Sequence, residues 1–163
     1  MPRILVAGEA LMDCIPMPDD AFRPIVGGSP FNVAVAAARL GRPATGVGFM
    51  SGISTDFFGD RLMRALHAEA IDTTWVARLN APTTLAFVDL SGPSPRYAFY
   101  DEKSATRSFT THAIPALPDA ARFVHVGSVS LIGAPGADEI ARMAHDAASA
   151  GRVVSVDPNV RAS

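Results

Sequence analysis

The chain has 163 residues, 48% of them hydrophobic and 18% charged, with 14 basic against 16 acidic side chains and a formal net charge of −2. That is enough apolar material for one core of ordinary domain size. It excludes disorder, and so small a charge offers nothing to a nucleic acid or an anionic membrane. The lone cysteine, Cys14, excludes an intrachain disulfide and fits a reducing compartment.

Arg3 to Ala7 (RILVA) is a continuous apolar run closed by Gly8, the pattern of a parallel strand buried on both faces. Glu9 and Asp13 then break the apolar character. The run is too short for a bilayer and lacks a leader cleavage site, so the cytoplasm is the expected compartment. The following stretch, LMDCIPMPDDAFRPIVGG, carries three prolines and is not helical. Next comes GGSPFNVAVAAARLG, Gly27 to Gly41, a helix with Ser29 suited to capping, Pro30 to the first turn and Gly41 to the stop. A strand is expected over Ala44 to Phe49. Capping residues near Ser54 then open a helix with Phe58, Leu62, Leu66 and Ala70 on one face. TTLAFVDLSGPSPRYAFYDE reads as two strands around a Gly/Pro/Ser turn, a hairpin that projects as a small β-layer. Arg122 to Val126 and Arg152 to Val156 are further strands, with an Ala-rich helix from about Gly136 to Ala150 between them. Alternating strands and helices predict an open parallel α/β sheet. No repeat, low-complexity tract or linker interrupts it.

The Gly27–Gly41 stretch carries the candidate site. Its spacing puts Phe31, Ala34, Val35 and Ala38 on one face and Val33, Ala37 and Leu40 on another, a helix buried nearly all round. Asn32 stands in the first turn, where the helix end is electropositive, and its amide offers both a donor and an acceptor. Gly27 and Gly28 let a ligand approach the backbone. Together they make a cradle suited to hydroxyl groups. Equally, the residues fit a tight turn into a packing helix with Asn32 as a local cap. His67, His112, His125 and His145 show no metal spacing and are expected to be structural.

The stretch resembles the first signature of the ribokinase-like (PfkB) carbohydrate kinases: a Gly-Gly pair, then Asn, then an Ala-rich helix ending in Leu-Gly. GEALMD resembles the family's opening strand with its sugar-binding aspartate. GISTDFFGDRL resembles a Gly-x-x-x-Asp-x-x-Gly-x-x-Leu segment, TTLAFV and YAFYDE resemble lid strands, and HVGSVSL and SVDPNVR resemble later core segments. Bacterial fructokinases are the most similar subgroup. The resemblance implies a three-layer α/β/α fold with a largely parallel sheet and a small β-sheet lid. Residues 1–163 would be the N-terminal part of the kinase domain, with lid segments about 10–26 and 83–102.

By the same resemblance Asp13, Gly27, Gly28, Asn32, Phe99 and Arg161 hold the sugar, and Asn159 and Arg161 adjoin the phosphate donor. ATP and Mg²⁺ are the implied cofactors of the intact enzyme, with monovalent-cation dependence open. A homodimer through the lid is the implied assembly. The family's second signature, DTxGAGD, which carries the catalytic base, is absent from this sequence. The expectation is therefore a sugar-binding half, inactive alone, of an enzyme that converts D-fructose and ATP to fructose 6-phosphate and ADP. The first alternative is 2-keto-3-deoxygluconate kinase, against which Asp101 argues, since an aspartate there would repel a substrate carboxylate. The second is a non-catalytic sugar-binding or dimerising fragment.

Overall fold

The computed structural model describes residues 1–41 and 46–160. Its main sheet is built from β1 (Ile4–Ala7), β4 (Val47–Ser54), β5 (Asp72–Leu79), β8 (Phe123–Gly127) and β9 (Val153–Asp157). They run in the order β5-β4-β1-β8-β9, and every pairing is parallel. Alternate side chains therefore supply two cores. On one face Val6, Phe49 and Ile53 pack against α1 (Ser29–Leu40) and α2 (Phe57–Ala68). On the other, Leu5, Met50, Val124 and Val126 pack against Ile140, Met143 and Ala147 of α3 (Gly136–Ser149). Helices cover both faces, giving three layers.

A second sheet stands apart. Its strands are β2 (Leu11–Pro16), β3 (Phe22–Gly27), β6 (Leu85–Asp89) and β7 (Arg96–Tyr100), in the order β3-β2-β6-β7. The three-proline stretch is thus one antiparallel hairpin, β2–β3, and the Gly/Pro/Ser turn joins another, β6–β7. Pro24 and Pro16 are tolerated because β3 is an edge strand and Pro16 ends its own strand. The two hairpins meet where β2 pairs in parallel with β6.

Several expectations change here. GEALMD is not one strand: β1 stops at Ala7, and Asp13 lies on β2 of the second sheet. Strand β5 was not foreseen. Its sequence, DTTWVARL, alternates about a few buried positions and lacks the apolar run of an inner strand, because it is the sheet's edge. Helix α1 is not buried all round: Pro30, Phe31, Ala34 and Ala38 are buried, whereas Leu40 is 88% exposed. Nor does Ser29 cap it. The N-cap is Gly28, and Ser29 is the first helical residue. Ala44 and Thr45 lie outside the described residues; the strand expected there begins at Val47.

The GISTDFFGDRL segment works as a joint. Asp56 caps α2 by accepting the Gly59 N–H at 2.7 Å. The same carboxylate accepts the Thr83 N–H at 2.9 Å and the Thr83 hydroxyl at 2.7 Å. Helix α2 is thereby tied to the segment that enters β6 and the second sheet. Burial alone would raise the Asp56 pKa, but these hydrogen bonds outweigh it and hold the carboxyl below its ordinary value.

Candidate functional site

Open α/β sheets bind ligands at the carboxyl ends of their strands. In this fold β1, β8 and β9 end side by side, at Glu9, at Ser128–Val129 and at Pro158–Val160. The second sheet overhangs that edge. Between them lies a cleft of about 1030 Å³. Its third wall is the first turn of α1, with Gly28, Ser29 and Asn32.

The second sheet contributes one face. Asp13 on β2 pairs in register with Ala86 on β6, and Ala86 with Phe99 on β7. Asp13, Leu11, Phe99 and Tyr97 therefore project to the same side, and all four line the cleft. The Tyr97 and Phe99 rings lie nearly parallel, 6.0 Å apart with 17° between their planes. Phe99 is 43% exposed, an aromatic surface that apolar sugar faces can cover.

Asp13 is half buried, and burial pushes its carboxyl above the ordinary value. Hydroxyl donors in the cleft would reverse that cost. Two glycines make the room. Gly27 lies across the hairpin from β2, and a Cβ there would run into Asp13 Oδ2. Gly28 has φ 110°, a conformation L side chains rarely adopt, and a Cβ would stand 2.7 Å from the Glu9 carbonyl oxygen. Asn32 is exposed at the cleft, and its backbone N–H is already paired with Gly28 O at 2.9 Å. With Gly28 itself at the N-cap, Asn32 does not cap α1, and its amide side chain faces the cleft.

Asn159 also lines the cleft, in the left-handed region at φ 50°, and its Nδ2 lies 3.4 Å from Ser128 Oγ. Of the residues singled out in the sequence, Asp13, Gly28, Asn32, Phe99 and Asn159 meet here, with Gly27 beside Asp13. Arg161 lies outside the described residues. Asp101 does not face the cleft. Its carboxylate lies 3.1 Å from Arg107 Nε, so the repulsion expected of it toward a substrate carboxylate does not arise. The carboxylates that do line the cleft, among the described residues, are Asp13 and Glu9.

Glu9 was missed. It is 1% exposed, and its Oε1 and Oε2 accept the N–H groups of Ser29 and Ser130, each at 3.2 Å. Ser29 opens α1, and Ser130 lies in the short turn Ser128–Leu131 after β8. Burial raises the Glu9 pKa, and the hydrogen bonds it receives only partly offset that. The available signal was an acidic residue placed directly after the buried run RILVAG. His125 ties β8 to β9 through Ser155 Oγ at 3.1 Å, and burial lowers its pKa. Among the described residues no group of three or more His, Cys, Asp or Glu could hold a metal ion.

A cleft at the carboxyl ends of a parallel sheet, overhung by a second sheet and carrying a carboxylate, an amide and an aromatic face, has the chemistry to hold a small polyhydroxylated ligand. The chain belongs to the pfkB family of carbohydrate kinases, whose model matches residues 1–163. It is 40% identical over 162 residues to a fructokinase from Rhizobium leguminosarum bv. trifolii, a match covering 97% of this chain and 48% of that protein. The fold is similar to that of a Xylella fastidiosa fructokinase solved with bound ATP (TM-score 0.86, 33% identity, 99% of this chain and 50% of that one). It is also similar to a Vibrio cholerae O395 fructokinase solved with fructose, ADP and calcium ion (TM-score 0.82, 28% identity, 99% and 52%). The chain thus spans about half the length of the curated relatives it matches.

Proposed function

We propose that this chain forms the sugar-binding half of an ATP-dependent fructokinase and binds D-fructose in the cleft. The supporting observation is the convergence of Asp13, Asn32, Gly28 and Phe99 on one cleft, in a chain nearly all of which aligns with about half the length of fructokinases. Asp13 accepts sugar hydroxyls, and the Asn32 amide both donates and accepts. Phe99 covers the ring, and the second sheet acts as a lid that excludes water. Arg161 is proposed to reach the same ligand. A sugar acid is disfavoured, because two carboxylates, Asp13 and Glu9, already face the cleft. The proposed compartment is the cytoplasm; no described helix is long and apolar enough to cross a membrane.

The transfer itself needs a base for the fructose 6-hydroxyl and a holder for the γ-phosphate. Neither carboxylate of the cleft is available as that base. Glu9 is enclosed by its own hydrogen bonds, and Asp13 is committed to holding the sugar. The donor's phosphates are proposed to approach the Asn159 edge, with Arg161. Mg²⁺ is proposed to arrive with ATP, held chiefly by its phosphates; among the described residues no group of three or more His, Cys, Asp or Glu gathers to hold it. The 163-residue chain is therefore proposed to bind fructose without phosphorylating it.

Thermal shift with a sugar panel, beside ³¹P detection of product, tests this reading. Fructose is expected to raise the melting temperature most, by ligand linkage, with no fructose 6-phosphate formed on adding ATP and Mg²⁺. A larger shift with 2-keto-3-deoxygluconate, or steady product formation, would overturn it.

A further inference from the structure

The function proposed above gives Glu9 no contact with the ligand, yet it is the most enclosed charged side chain among the described residues. Groups from two separate parts of the chain, the start of α1 and the turn Ser128–Leu131, converge on its carboxylate. The Ser29 N–H, at the start of α1, reaches Oε1 at 3.2 Å. The Ser130 N–H, 121 residues along the chain, reaches Oε2 at 3.2 Å. The Ser128 hydroxyl also bonds to it, and Asn159 Nδ2 lies 3.4 Å from that hydroxyl. Each carboxylate oxygen thus serves a different wall of the cleft. One wall carries Gly28 and Asn32; the other carries Ser128 and, through it, Asn159.

We propose that Glu9 is a positioning residue for the sugar site, its two oxygens setting the distance between the first turn of α1 and the turn after β8. The inference rests on the sugar-binding reading above. Chemistry favours it over a packing role. An apolar side chain would fill the same space without the cost of a buried charge, whereas only a carboxylate presents two acceptors to two backbone N–H groups. Glutamine presents one acceptor and one donor, so one N–H would face an NH₂ group. Aspartate keeps the charge but is one methylene shorter and cannot span both donors.

The test compares wild type, Glu9→Gln and Glu9→Asp by fructose calorimetry, with the amide resonances of Ser29 and Ser130 followed by NMR. Glu9→Gln is expected to keep the wild-type circular dichroism, shift at least one of the two amides, and weaken fructose binding about tenfold or more. Glu9→Asp is expected to shift one amide and to weaken binding as well, which keeps the proposal testable should the Gln variant fail to fold. Fructose affinity within twofold of wild type in a folded variant with a shifted amide overturns the positioning role alone. Unshifted amides in both variants overturn the bridge itself. Absence of fructose binding by wild type overturns the sugar reading, and the positioning role with it.

Discussion

Asp13 stands half buried on a lid strand with its carboxyl pKa raised by the burial. A carboxyl raised in the folded state favours folding most when protonated. Its contribution is fully present below the unfolded value near 3.8 and is lost as pH rises through the folded value. Asp13→Asn is therefore expected to melt no lower than wild type at pH 7, with any gap closing as the pH falls toward 3.8. The same substitution is expected to weaken fructose binding about 10- to 100-fold, the loss of hydrogen bonds to a charged acceptor. Stability and affinity thus move in different directions at one atom, as expected of a residue kept for a ligand. The two glycines separate in the same way. Gly27→Ala meets only the Asp13 side chain, which can turn aside, so its expected effect is on fructose affinity. Gly28→Ala meets backbone at a positive φ, and is expected to cost about 1–3 kcal/mol in denaturant unfolding. The glycine pair and Asn32 were legible together at the start of a helix, whereas Asp13 and Phe99 joined them only through the family resemblance. Glu9 was not legible, because its partners Ser29 and Ser130 are brought to it only by the strand order.

Helix α2 and the segment entering β6 share one carboxylate, Asp56, so an ordinary helix cap also anchors the lid. Asp56→Ala should cost about 2 kcal/mol at pH 7, from the cap and the Thr83 bonds together. The Asp56 pKa is held down in the folded state, so this stability is present above the ordinary carboxyl value of 3.8 and is lost as pH falls through the folded value. Urea unfolding of wild type and variant at several pH values should show the gap shrinking in acid, the opposite of the Asp13 case. Elements with strong periodicity or capping were read from sequence, among them α2, α3 and the β6–β7 hairpin. Strand β5 escaped because an edge strand needs few buried side chains. The β2–β3 hairpin was not resolved as two strands because its prolines masked them.

Among the described residues the main sheet is edged by β5 and β9, and the β9 side carries exposed apolar side chains. Strand β9 is at the sheet edge, and Val153 and Val156 are exposed beside exposed Phe123. Such an edge invites strand pairing. Val156→Lys is expected to lower self-association in sedimentation while leaving stability within about 0.5 kcal/mol, as for other exposed positions. A homodimer through the lid, the assembly the family resemblance implies, predicts different behaviour: a two-fold contact saturates at two chains, whereas edge pairing has no such stop. The parallel α/β class could be read from the alternation of strand and helix. The cleft could not, because it is made by the lid strands hanging over the ends of β1, β8 and β9, and that overhang exists only in three dimensions. In the proposed function, this cleft holds fructose through Asp13. Calorimetric titration of fructose into the purified chain, beside Asp13→Asn, tests it most directly. Saturable one-to-one binding by wild type is expected, and binding about 10- to 100-fold weaker in an equally folded variant. A folded wild type that binds no fructose, or an Asp13→Asn variant that binds it as tightly, would contradict it.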